Sequence, residues 1–513
     1  MQSPLNILIL DRSEIHSDLK QYYTKLLLPL NYELNFIFFT EQDQVLEHLG
    51  KAITHIVICD LSLGDTKNMR GLNLIQKIKQ EWPQVICIGN TRNAVSYRQT
   101  LSKMPTFDLF IDKAKLFACD KYFFDQIRKK ISQKFKTNVF VKVSSKSRFL
   151  NIIRDKNDLD LQYIISQISF TGHPNTDMVK IDEIKLTPLT GGRSGSDVYK
   201  IEAFSSDSMV QTVPAVLKIS QKERAKIELE NYNRFVKWTL PYTWRVDLLG
   251  TGFTKKLGGI CYSFILGGNS NFDSFTYYIK EANDAVIRSV IQQVFSPKMK
   301  TWYSFVKKNK NINKRYSTRY FWDTSMNCES ARFAEVVQKY FNGFVKSNCV
   351  EIDKYRFPLP VDDLFAELHG DYYSCICHGD LNSNNIISSN NKEFIFIDFQ
   401  DTGRGHVFED FVTLESSIRM HYPFDDNVDV LEILNNEIEL TVTGKINKPC
   451  SNLYEHISLI RNLALKNFDM ENFKNYYYAV AAYNFRLLRL PDLTELQEKL
   501  ITSALLANLS HKK

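Results

Sequence analysis

Short apolar runs alternate with amphipathic segments through the first 135 residues, and this alternation constrains the fold more than any other feature. Leu5–Leu10 (LNILIL), Leu34–Phe39 (LNFIFF), His55–Cys59 (HIVIC), Val85–Ile88 and Asp108–Ile111 read as strands. Helical patterns fall between and after them, at about Ser13–Leu28, Glu41–Leu49, Leu72–Glu81 and Lys121–Phe135. A strand that is apolar throughout must be covered on both faces, which a parallel sheet flanked by helices provides. The expectation is a doubly wound parallel α/β domain over residues 1–135. In such sheets functional residues gather at the carboxyl ends of the strands.

Those ends carry a constellation. Asp11 follows the first strand, Asp60 the third, Thr91 the fourth and Lys113 the fifth. Asp, Thr and Lys at one sheet edge suit phosphate transfer. The central carboxylate takes the phosphoryl group, Lys and Thr bind its oxygens, and a divalent cation bridges the acids. The arrangement resembles a response-regulator receiver domain. That resemblance implies Asp60 as phospho-acceptor, Thr91 as switch hydroxyl, Lys113 as the family's lysine and Asp11 as metal acid. It also implies an upstream histidine kinase or partner protein and a place in two-component signalling. One departure stands out: the family places two adjacent acids after the first strand, and here Asp11 is followed by Arg12. A lost carboxylate and an added cation both weaken Mg²⁺ binding. Two readings therefore stay open, a phosphorylated receiver and a receiver-shaped docking module.

Residues 136–178 read as a linker or connecting helix, polar and basic from about Lys134 to Arg148 and amphipathic beyond. A second pattern begins at Val179: strand, Gly-rich turn, strand, the apolar run AVLKIS, then a helix over Lys222–Trp238. From about residue 280 the chain reads mainly helical, apart from short strands around 375–400.

The strongest local signal is Cys377–Ile387, CHGDLNSNNII, followed by the strand-like EFIFIDF that ends near Asp398. Phosphoryl transfer from ATP needs a carboxylate near the attacking hydroxyl and oxygen ligands for Mg²⁺. Asp380 suits the first task; Asn385 and Asp398 suit the second. A second HGD, His369–Asp371, has Ile376 where an Asn is needed, which shows that the tripeptide alone is weak. Upstream, Leu189–Tyr199 (LTGGRSGSDVY) sets Gly191, Gly192, Ser194 and Gly195 between strands, where backbone N–H groups can approach phosphates. Lys218, inside an apolar strand, is costly unless paired or liganded. Glu228 and Glu230 on the next helix are both candidate partners, with Glu230 favoured.

Together these residues resemble the aminoglycoside-phosphotransferase and choline-kinase branch of the protein-kinase-like fold, over about residues 180–510. The resemblance implies an α+β two-lobed domain, with an N-lobe over 179–268 and a C-lobe with a helical insertion over 269–513. It implies ATP and Mg²⁺ as cofactors and a hydroxyl-bearing small molecule as acceptor, a protein acceptor staying open. Asp380 would be the catalytic base, Lys218 would hold the α- and β-phosphates, and Glu230 would orient Lys218. Asn385, Asp398 and the Asp401 of the IDF-x-D segment would hold metal, and an acid near Asp410 would be structural. HGD in place of HRD, and Gln400 in place of the Gly of DFG, favour small-molecule over protein phosphorylation. The alternative is a catalytically weak or inactive nucleotide-binding scaffold in a bacterial signalling or defence assembly.

Composition sets outer bounds. Across 513 residues, 65 Lys and Arg against 58 Asp and Glu leave a mild +7, too weak to argue for a nucleic-acid partner. The basic, aromatic stretch Lys298–Arg319 reads as a solvated helical insertion. Nine scattered cysteines without a CxxC read as reduced, buried thiols, and with no leader pattern or long apolar stretch the expected location is cytoplasmic, away from membranes.

Overall fold

The computed structural model describes residues 5–11, 20–21, 23–24, 34–63, 70–91, 108–112, 121–135, 141–143, 159–168, 183–189, 196–204, 215–263, 272–304, 306–309, 327–346, 349–358, 372–424, 428–468 and 474–509. The expected helix near Ser13–Leu28, Arg12, Lys113, the Gly-rich turn with Gly191, Gly192, Ser194 and Gly195, the second HGD and half of the basic insertion lie wholly or largely outside them. Two compact units divide the chain: Met1–Leu229 with Asp247–Phe264, and Glu230–Val246 with Ile265–Lys513.

The first unit opens on β1 (Leu5–Leu10), β2 (Leu34–Phe39), β3 (Ile56–Asp60), β4 (Ile86–Thr91) and β5 (Leu109–Asp112). They form one sheet in the order β2-β1-β3-β4-β5, every neighbouring pair parallel. Helices α1 (Gln42–Leu49), α2 (Arg70–Glu81) and α3 (Lys121–Lys134) accompany it. Ile7 to Leu10, Ile56 to Cys59 and Ile86 to Ile88 are buried without alternation, which is why those strands read as continuous apolar runs. Strand order reverses between β1 and β3, which places Asp11 and Asp60 on either side of the topological switch point, where ligands of such sheets bind.

A second sheet in this unit runs β10-β11-β9-β8-β7-β6. Its strands are β6 (Val141–Val143), β7 (Glu183–Pro188), β8 (Asp197–Phe204), β9 (Ala215–Gln221), β10 (Leu248–Phe253) and β11 (Leu257–Ser263). All neighbours are antiparallel except β6 and β7. β8 alternates buried and half-buried positions, one face on a core and one toward water. Between β6 and β7 lies helix α4 (Leu159–Ser166), and α5 (Lys222–Asn231) follows β9. The stretch expected as a linker or connecting helix contributes a short strand and a helix to the unit.

The second unit is mainly helical: α6 (Phe275–Lys280), α7 (Asp284–Val294), α8 (Lys300–Tyr303), α9 (Asn327–Phe341), α10 (Glu409–His421), α11 (Val430–Thr443), α12 (Leu453–Asn467), α13 (Lys474–Leu487) and α14 (Glu495–Leu509). Three small sheets punctuate it. β12 (Phe272–Ser274) pairs with β18 (Ile386–Ser389), which pairs with β19 (Phe394–Phe396). β13 (Lys307–Asn309), β17 (Tyr372–Cys377) and β20 (Gly403–His406) form the next, and β14 (Phe344–Val345), β15 (Cys349–Ile352) and β16 (Tyr355–Pro358) the third. The strands before residue 372 escaped the sequence reading because they are two to four residues long. α14 is buried without a break from Leu500 to Leu509, the mark of a helix enclosed by others. Among the described residues no helix is long and apolar enough to cross a membrane.

Candidate active site

β17 delivers the chain to His378, and the turn that follows is tied to itself at every step. Asn382 caps a single 3₁₀ turn, Ser383–Asn385, by accepting from the Asn384 amide. The turn aims Asn385 back at Asp380. Its Nδ2 donates to the Asp380 carbonyl at 2.8 Å and to Asp380 Oδ2 at 3.1 Å. The five-residue spacing seen in the sequence is therefore the reach of this loop.

The loop rests on a second acid. Asp410, fully buried at the start of α10, accepts from the backbone N–H of His378 at 2.8 Å and of Gly379 at 3.0 Å, and from the Tyr303 hydroxyl at 3.1 Å. Burial pushes its carboxyl up, while His378, the two amides and Tyr303 pull it back. Gly379 has φ +82°, and a Cβ there would stand 2.2 Å from the Asp401 carbonyl oxygen. Only glycine fits, so the middle residue of HGD is fixed by backbone approach. The His378 ring is buried beside Phe396 and Phe399 and bonds the Ile397 carbonyl at 3.0 Å. This contact ties the loop to the segment that carries Asp398.

Asp398 follows the β18–β19 hairpin and adopts φ +63°. A non-glycine residue held there carries backbone strain of about 1–3 kcal/mol, a cost usually met at functional positions. Asp380, half-buried, has its carboxyl raised: burial is the main cause, the Asn382 bond and His378 oppose it, and the charges of Asp398 and Asp401 add to the rise. Three carboxylates in mutual electrostatic reach favour a cation or a proton among them. Among the described residues no three His, Cys, Asp or Glu side chains stand at metal-binding spacing. Mg²⁺ does not need such a cage, since one or two carboxylates and substrate phosphates usually hold it. The hard oxygen donors of Asp398, Asp401 and Asn385 fit that requirement.

In the other unit, β9 carries Lys218, which pairs with Ile260 of β11. Lys218 Nζ lies 2.8 Å from Glu228 Oε2, with the two side chains 8% and 1% exposed. Tyr262 donates to the other oxygen of Glu228 at 2.9 Å. The partner is thus Glu228 and not the expected Glu230. Two residues along a helix turn the side chain by roughly 200°, and Glu230 is accordingly exposed. Ala225 and Glu228 share the one buried face of α5.

At the first sheet's edge the structure brings Asp11, Asp60 and Thr91 to the ends of three adjacent strands; Asp11 and Thr91 are buried. Asp60 Oδ1 accepts from the Ser62 amide at 2.9 Å and the Ser62 hydroxyl at 2.8 Å, a partner the sequence did not suggest. Asn90, beside Asp60 in register, donates to the Tyr23 hydroxyl at 2.7 Å. Elsewhere His406 is buried on β20 and accepts from the Phe408 amide, with burial holding its ring down at about 4. It is a packed histidine. Seven described cysteines are free and all but Cys450 are buried.

Residues 358–432 match the model of the phosphotransferase enzyme family. This segment contains His378, Asp380, Asn385, Asp398, Asp401 and Asp410. No curated protein matches the chain in sequence. Among solved structures, an amicoumacin kinase, determined with AMP-PNP, Ca²⁺ and its substrate, is similar at 11% identity over 63% of this chain and 87% of its own, with a TM-score of 0.34. A choline kinase from Streptococcus pneumoniae is similar at 12% identity over 64% of this chain and 93% of its own, TM-score 0.30. A response regulator from Thermotoga maritima is similar at 19% identity over 25% of this chain and 98% of its own, TM-score 0.21.

Proposed function

We propose that this chain is an ATP- and Mg²⁺-dependent phosphotransferase that moves the γ-phosphate to a hydroxyl of a small molecule. The observation that carries the reading is the Asp380–Asn385 pairing, held by Asp410 beside Asp398 and Asp401, inside the segment that matches the phosphotransferase family. Asp380 would orient the acceptor hydroxyl and take its proton as the O–P bond forms. Its raised carboxyl is suited to that, because a base works best when its pKa approaches the working pH. Asn385 fixes which Asp380 oxygen faces the acceptor, and its own Oδ1, with Asp398 and Asp401, would hold Mg²⁺. The bound cation would neutralise phosphate charge and the developing charge of the transition state. Lys218, aimed by Glu228, would bind the α- and β-phosphates, and the Gly191–Gly195 turn would cover them.

Free, buried thiols suit a reducing, cytoplasmic setting. For the N-terminal sheet we infer a receiver-like regulatory or docking role, supported by the strand order and by Asp11, Asp60 and Thr91 at one edge. The test of the main reading is Mg-ATP binding and turnover, with a panel of hydroxyl-bearing metabolites and labelled ATP, for the wild type, Asp380→Ala and Asp398→Ala. The reading expects turnover lost in both variants and metal-dependent binding lost only in Asp398→Ala. Identical nucleotide binding in all three, with no turnover in any, would leave a scaffold.

A further inference from the structure

Helix α4 belongs to two cores at once. Tyr163 packs into the core of the parallel sheet, whereas Leu161, Ile164 and Ile165, with Ile168 just beyond the helix, pack into the core of the antiparallel sheet. Both attachments are specific. The Tyr163 hydroxyl accepts from the Thr54 amide at 2.7 Å and donates to the Thr54 carbonyl at 3.1 Å. Thr54 is fully buried two residues before β3, so one phenol satisfies both backbone groups at the root of the strand that ends on Asp60.

On the other side, Gly252 of β10 and Gly259 of β11 face each other in register beneath Ile164. A Cβ on Gly252 would meet the Ile164 carbonyl oxygen at 2.2 Å, and one on Gly259 would meet Ile164 Cγ2 at 2.3 Å. Just past the helix, Gln167 completes a two-way bond with the Phe253 backbone, donating to its carbonyl and accepting from its amide at 3.1 Å each. Gly259 pairs with Ile219, and the next residue, Ile260, pairs with Lys218. The contact of Ile164 on β11 is therefore one residue removed from the register position of Lys218.

We propose that α4 is a positioning element for Lys218, through which the root of the Asp60 strand sets the placement of β11 and β9. Tyr163, Ile164 and Gln167 are its positioning residues, and they act on nucleotide through Lys218 rather than by touching it. The inference rests on the phosphotransferase reading for its effect on ATP, but the mechanical link stands on the contacts alone. A helix tied to one core by the buried Tyr163 bonds and to the other by Gln167 and glycine-close packing transmits displacement, because packed cores do not deform smoothly.

The test uses the full chain, with amide hydrogen exchange and ATP kinetics as separate readouts. Tyr163→Phe keeps the ring and removes only the hydroxyl. It is expected to lower protection at residues 54–60 and also at 215–221 and 257–263, and to raise KM for ATP about tenfold with kcat within about twofold. Gly259→Ala is expected to reproduce the loss at 215–221, and Ile164→Ala added to it to restore protection and KM, since removing Cγ2 makes room for the new methyl. A general packing defect would add in the double variant rather than cancel. Loss of protection confined to 54–60 in Tyr163→Phe, or a double variant as impaired as Gly259→Ala, overturns the proposal. If the wild type neither binds nor turns over ATP, the phosphotransferase reading fails, and the exchange results alone decide the coupling.

Discussion

Asp60 reaches its place because a parallel strand ends there, whereas Asp380 is held by a loop that commits almost every polar group to another. At the sheet edge, register does the positioning: β1, β3 and β4 run side by side and their last residues fall together. Gly71 lets the following helix approach so closely that a Cβ would lie 2.0 Å from the Asp60 carbonyl oxygen. In the second unit no strand sets Asp380. A buried acid at the start of α10 accepts two loop amides, a glycine admits the Asp401 carbonyl, and an asparagine grips the carboxylate. The first arrangement should tolerate change in any one side chain, because the backbone ladder persists. The second fails when one acceptor is removed.

Asp380→Asn should lower turnover by about 10²–10⁴-fold, the usual contribution of a general base, with ATP affinity within a few-fold of wild type. Its stability should move the other way. The folded carboxyl is raised, so ionising it opposes folding: its contribution is favourable at low pH and is lost as pH rises through the folded value. At neutral pH the Asp380→Asn variant, uncharged at this position, should therefore unfold at a denaturant concentration equal to or above that of wild type. A variant that is both inactive and clearly less stable would assign Asp380 to structure.

Asp410→Ala leaves two buried amides and the Tyr303 hydroxyl without their acceptor. The cost should be about 3–5 kcal/mol, since each stranded buried donor costs about 1–3 kcal/mol. Asp60→Ala should cost under about 1 kcal/mol, since Asp60 is only half-buried and its polar partner Ser62 remains near water. Urea titration of the two variants measures the contrast directly, and equal costs would break it.

The C-terminal unit also carries a buried ionic cluster. Arg419 bonds Glu415 at 2.8 Å and Glu437 at 2.7 Å, Arg461 bonds Glu415 at 2.7 Å, and the Tyr476 hydroxyl bonds it at 2.5 Å. Burial alone would raise the Glu415 carboxyl, but Arg461 and Arg419 outweigh it and hold it down at about 2, from an ordinary 4.5. A depressed folded pKa stabilises above the unfolded value and is lost as pH falls. The cluster should contribute on the order of 3 kcal/mol at neutral pH and lose it between about pH 4.5 and 2. Denaturation followed across that window should show the loss in wild type and a much flatter profile in Glu415→Gln.

The two regions also differed in how far they could be read in advance. Continuous apolar strands announce a parallel sheet, and β1, β3 and β4 lie within a residue or two of their expected spans, apart from the added end of β4 at Thr91. Asp380, Asn385 and Asp398 were legible because a short loop and a hairpin bring them together locally. Contacts that depend on distant packing were not. The choice of Glu228 over Glu230 turns on which helix face is covered, and sequence proximity alone does not settle it. Residues 136–178 read as a linker or connecting helix, and α4 is such a helix; that it serves two cores was not legible, because eight residues are too short to show a period.

The smallest expected effect sits at the sheet edge. Beryllofluoride with Mg²⁺ mimics a phosphoryl group on a receiver aspartate, and Asp60 Oδ1 is already engaged by the Ser62 amide and hydroxyl. Binding at that oxygen would displace the hydroxyl, which exchanges one polar contact for another and costs little beyond a hydrogen bond of about 1 kcal/mol. Ser62→Ala should therefore strengthen any Mg-dependent beryllofluoride response by up to about fivefold, and Asp60→Asn should abolish it. Tryptophan fluorescence can follow the response, because Trp82 packs against the core of the same sheet. A response unchanged in Asp60→Asn would place the anion elsewhere. No response in wild type or in Ser62→Ala would leave the edge as a docking surface, and the contrast would then lie between a catalytic loop and a purely structural sheet end.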